Sequence, residues 1–114
     1  MFKTEIWIVF RQGGFRELIF SKTFNLPFCP FVGLILIDSE ENIKLANNDY
    51  CSTNIYYDVQ KNSFLVEMRH SWRYGVADET IDDTLKSFIS RGWERKDTTD
   101  IEKWKEYNCK KQGD

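Results

Sequence analysis

The hydrophobic period of this chain changes near Asp78. Upstream, apolar residues alternate at every second position or form short continuous runs. Downstream, Ile81, Leu85, Phe88 and Ile89 recur at offsets of four, seven and eight. Alternation suits strands, and the second spacing puts one stripe on a helix lying against a core. The order of the two patterns predicts an α+β fold. Its expected form is a curled, mainly antiparallel meander of five to six strands, with a C-terminal helix over residues 78–91 packed on one face.

Short turns punctuate the strand-like half. Gln12-Gly13-Gly14 separates a strand over 3–11 from one over 15–24, because glycine supplies the positive φ of a tight turn. In the first strand both faces are partly apolar, which predicts an interior position in the sheet. Pro27 and Pro30 cannot donate to a ladder, so residues 26–30 are read as a corner or an edge crossover whose rings cap the sheet. Phe31–Ile37 is apolar on both faces and predicts a central strand, with Gly33 as a bend. A short strand is expected over 43–46. Two longer ones are expected over 54–60 and 63–72, joined by Lys61-Asn62 with Asn in a left-handed conformation.

Asp78 is the expected N-cap of the helix and Gly92 its left-handed stop. Residues 93–97 can form a short strand. Thr99-Asp100-Ile101-Glu102 has the form of a capping box and marks a short second helix running to about Lys110.

The 114 residues predict a single domain, 1–114. Sixteen basic against eighteen acidic residues leave a net charge of −2, which excludes a bulk attraction to nucleic acid or to an anionic membrane. Glu5 interrupts what would be the apolar core of a signal peptide, and Phe31–Ile37 is too short to span a bilayer. The expectation is a cytoplasmic protein with no membrane partner. Aromatic residues make up 16% of the chain, more than a core of this size obviously needs. The excess points either to a ring-filled core or to a binding surface.

Chemistry-bearing motifs are sparse. The segment Arg69-His70-Ser71-Trp72-Arg73-Tyr74-Gly75 interleaves guanidiniums with rings and is the candidate binding site, through Arg69, His70, Trp72, Arg73 and Tyr74. Such a set can hold a phosphate and stack a base. Strand alternation opposes this, because it places Arg69 and Arg73 on one face and His70, Trp72 and Tyr74 on the other. His70 is the sole histidine and the natural general acid or base. A nucleophile for it would have to come from Cys29, Cys51 or Cys109, brought near by folding.

Those cysteines and His70 form a set zinc would accept, but the wide gaps are unlike the paired ligands of structural sites, so no metal and no disulfide are expected. The acidic pairs Glu40-Glu41, Asp78-Glu79 and Asp82-Asp83 read as solvated charge. Phosphate-loop and dinucleotide fingerprints are absent, so no cofactor is expected. The functional expectation is a non-catalytic binding or protein-interaction module, with another protein as partner. The alternative is a nucleic-acid or nucleotide-binding domain using the Arg69–Tyr74 strand. A Cys/His-dependent enzyme is the third reading.

Overall fold

The computed structural model describes residues 1–12, 16–38, 41–71, 78–98 and 102. Its elements in chain order are β1 (Phe2–Gln12), β2 (Arg16–Leu26), β3 (Ile35–Ile37), β4 (Asn42–Lys44), β5 (Cys51–Asp58), β6 (Ser63–Ser71), α1 (Asp78–Ser90) and β7 (Glu94–Arg95). Five strands form one open sheet in the order β5-β6-β1-β2-β7, and β3 pairs with β4 in a separate two-stranded sheet.

The sheet is mixed, which corrects the expected antiparallel meander. The antiparallel pairs β1–β2 and β5–β6 lie side by side with their inner strands, β1 and β6, parallel. Strand β1 is therefore central, as its two partly apolar faces predict. A parallel neighbour needs a long crossover. Here residues 27–50 supply it, and within it β3 and β4 pair with each other, outside the large sheet.

The register aligns side chains in rows across one face. One row is Cys51, His70, Phe10 and Leu18; the next is Thr53, Met68, Ile8 and Phe20. The third is Ile55, Val66, Ile6 and Lys22. Ile43 and Leu45 join this core from the β4 segment, and Ile81 joins it from α1. Phe88 stacks on Phe20 with ring centroids 4.5 Å apart and meets Phe10 edge-on at 5.7 Å. Part of the aromatic excess is thus core. The expected helical stripe holds for Ile81, Leu85 and Phe88. Ile89 departs from it and is 53% exposed. At about 100° per residue Ile89 lies some 80° from Ile81, at the margin of the stripe.

The helix ends as the sequence predicts. Gly92 has φ +88°, the Trp93 N–H donates to the Phe88 carbonyl at 3.0 Å, and the Gly92 N–H to the Ile89 carbonyl at 3.1 Å. These paired bonds satisfy carbonyls that the last turn leaves open. They also turn the chain so that Trp93 enters the core, 2% exposed and 5.4 Å from the Phe88 ring.

Residues 31–37 do not form a central strand. The Leu34 N–H closes a turn on the Phe31 carbonyl at 3.2 Å, and Gly33 takes φ +101°. Only Ile35–Ile37 is extended, and it pairs with β4 alone. Phe28 and Phe31 contact one another and are exposed, so they do not cap the sheet. Asn62 has φ 51°, as expected for the β5–β6 turn. Glu102 is helical; the rest of the expected second helix and Gly13-Gly14 lie outside the described residues.

Candidate functional site

Arg69 and His70 stand on opposite faces of β6, as alternation requires. Arg69 is exposed on the outer face, and its guanidinium pairs with Glu67 two residues back. That carboxylate raises the Arg69 pKa further above its ordinary value. His70 faces the core side, stacked on Phe10 with centroids 5.2 Å apart. Trp72, Arg73 and Tyr74, the remaining members of the expected site, lie outside the described residues.

The fold brings a different group to His70. Cys51 is its direct cross-strand partner, and the Cys51 Sγ lies 3.7 Å from the His70 Nε2. The pair occupies a position without mutual backbone hydrogen bonds, where facing side chains approach most closely. Asparagines set the start of β5. The Asn48 Oδ1 accepts from the Tyr50 and Cys51 N–H groups, each at 2.8 Å, and the Asn47 Oδ1 accepts from the Thr53 N–H at 2.6 Å. The Thr53 hydroxyl donates to the Ala46 carbonyl at 2.7 Å, tying this loop to the strand. These side-chain-to-backbone bonds are the loop chemistry that short Asn side chains favour.

Cys51 and His70 border two cavities. One, of about 390 Å³, is lined by the apolar Ile8, Ile43, Met68 and Phe88 and by the charged Glu41, Lys44 and Arg91. The other, of about 240 Å³, reaches Arg11 and Arg69. Burial pushes the Cys51 thiol above its ordinary value, a change the Thr53 hydrogen bond only partly offsets. Burial pulls the His70 imidazole down. Both shifts favour the uncharged forms, whereas a cysteine nucleophile needs a lowered thiol pKa. The pair can exchange hydrogen bonds with a neutral group in either cavity. It is not poised as a thiolate–imidazolium pair.

Cys29 is exposed and Cys51 buried, and both are free thiols. Cys109 lies outside the described residues. Among the described residues no three His, Cys, Asp or Glu side chains cluster as a metal site. No described helix is long and apolar enough to cross a membrane.

Sequence reasoning missed Glu41. Its side chain is 8% exposed and not solvated. It accepts from the Trp93 Nε1 at 2.6 and 2.8 Å and from the Arg91 Nε at 3.0 Å. Lys22 Nζ stands 4.0 Å away and donates to the Arg91 carbonyl at 2.7 Å. Glu41 thus fastens the β4 segment to the end of α1.

Several large apolar side chains are exposed along the chain, and five of them lie in one stretch. Phe28, Phe31, Val32, Ile35 and Ile37 are all exposed, Ile37 to 80%. Ile35 and Ile37 share one face of β3 while Leu36 between them packs against the core. No protein-family model matches this chain, and no curated protein or solved structure matches it.

Proposed function

We propose that this protein is a non-catalytic protein-interaction module. The exposed apolar stretch from Phe28 to Ile37 carries the reading. Contiguous apolar surface is costly in a monomer and marks sites that another surface covers. The Pro27 and Pro30 corner and the turn at Gly33 present these side chains outside the five-stranded sheet. The chemistry of the Cys51–His70 pair supports the same reading, because both groups are biased to their neutral forms. Arg69, the described guanidinium of the candidate anion site, is engaged by Glu67.

The test is site-specific photo-crosslinking in cells that natively make the protein. A photoreactive residue at Ile37 should give a discrete protein adduct. The same residue at Glu94, whose side chain is 73% exposed outside this stretch, should not. Equal labelling at both positions, or none at Ile37, would contradict the proposal. A nucleic-acid adduct at Ile37 would replace it with the nucleic-acid reading.

A further inference from the structure

The two edges of the five-stranded sheet are finished differently. At the β2 edge, β7 pairs with Phe20 and Ser21. Next to it the Lys96 N–H donates to the Ile19 carbonyl at 2.7 Å, and the Asp97 Oδ1 accepts from the Ile19 N–H at 2.9 Å. The β5 edge has no strand beyond it among the described residues.

The phase of the β5–β6 ladder fixes which groups that edge presents. The Ser71 N–H donates to the Tyr50 carbonyl at 3.0 Å, so Ser52, Asn54, Tyr56 and Asp58 turn their backbone groups toward β6. Cys51, Thr53, Ile55 and Tyr57 turn theirs outward. Asn48 closes both groups of Cys51, and Asn47 closes the Thr53 N–H. The N–H and carbonyl groups of Ile55 and Tyr57 have no partner among the described residues. Strands left open in this way are normally protected by lysine, proline or a bulge. Cys51–Asp58 contains no Lys, Arg or Pro, and its register with β6 is unbroken. Tyr56 and Tyr57 are about half exposed along it.

We infer that β5 pairs antiparallel with β5 of a second copy of this chain, about a twofold axis at Tyr56, joining two five-stranded sheets into one. The pattern of open groups is self-complementary in that register. Ile55 falls opposite Tyr57 of the second copy, and the four bonds formed use every open N–H and carbonyl of both residues. A twofold axis at Ile55 fits less well. It sets Tyr57 against Thr53, whose N–H Asn47 already holds, and orphans the Tyr57 carbonyl. Charge agrees with the axis at Tyr56. Asp58, the sole charged residue of β5, falls opposite Asn54 of the second copy, so no like charges face each other. The two Tyr56 rings meet across the axis at a closely spaced position. This surface is separate from the Phe28–Ile37 stretch, and neither proposal depends on the other.

Sedimentation and charge exchange test the inference. The wild-type chain should show a concentration-dependent monomer–dimer equilibrium. Tyr56→Lys should be monomeric at the same concentration with unchanged circular dichroism, since its side chain lies on the exposed face. Mixing Tyr56→Lys with Tyr56→Glu should restore the dimer. In a Cys29→Ser/Cys109→Ser background, Tyr56→Cys should form an intermolecular disulfide, because facing Cα atoms at such a position are about 4.5 Å apart. Asn54→Cys should form one only when mixed with Asp58→Cys. A wild-type monomer at about 1 mM, the weak limit of specific association, would overturn the inference. So would a dimer that survives Tyr56→Lys, or one lost in Ile37→Ser but kept in Tyr56→Lys.

Discussion

Removing the Glu41 carboxylate strands the Trp93 indole N–H and the Arg91 Nε in one step. A buried donor left without an acceptor costs about 1–3 kcal/mol. Glu41→Ala should therefore lower the unfolding free energy by about 1.5–3 kcal/mol in denaturant titration. Glu41→Gln keeps one acceptor oxygen and should lose less. Equal and negligible losses would mean that the clamp contributes nothing. The sequence shows Glu40-Glu41 only as adjacent charge in a polar turn, because nothing local brings residues 91 and 93 onto position 41. The Cys51–His70 contact was hidden for the same reason, since it depends on the β5–β6 register. That pair also sets a pH window. Below about 6.5 the unfolded chain takes up a proton at His70 that the folded chain resists, so stability falls as pH drops toward the lowered native value. Above about 9.0 the unfolded thiol loses a proton that folded Cys51 retains, so stability falls again. His70→Gln should flatten the acid limb of a stability–pH profile. An unchanged acid slope would show that His70 does not cause it.

The elements most legible in the sequence are those with a period and a stop signal of their own. Helix α1 has both, in the Ile81–Phe88 stripe and Gly92. Ile81 is fully buried and Ile89 half exposed, so the two test the orientation of the helix. Ile81→Ala should cost about 2–5 kcal/mol, and Ile89→Ala no more than about 0.5 kcal/mol. The reverse order would rotate the helix on the sheet. The Phe31–Ile37 run was less legible, because a short apolar run has no period to reveal which side is covered. Local turns decided it: Gly33 and the Phe31–Leu34 turn leave only three extended residues, too few to span the sheet as a central strand. In β6, alternation correctly separated Arg69 from His70, which puts the two described members of the expected binding site on opposite faces.

For the whole molecule, two antiparallel hairpins were readable from their turns, but the way they join was not. The parallel seam between β1 and β6 is a long-range choice, and both strands read alike whichever neighbour they take. In this arrangement Ile81, Trp93, Ile43 and Leu45 share one core with the sheet residues, and apolar surface is left on the crossover from Phe28 to Ile37. On the proposed function this surface serves a partner and not the core. Stability and crosslinking measured together on Ile35→Ser/Ile37→Ser test it most directly. The unfolding free energy should stay within about 0.5 kcal/mol of wild type, as for exposed positions. A protein adduct formed through a photoreactive residue at Phe31 should be lost in the double variant. A loss of more than about 2 kcal/mol with the adduct intact would place these side chains in the core and contradict the claim.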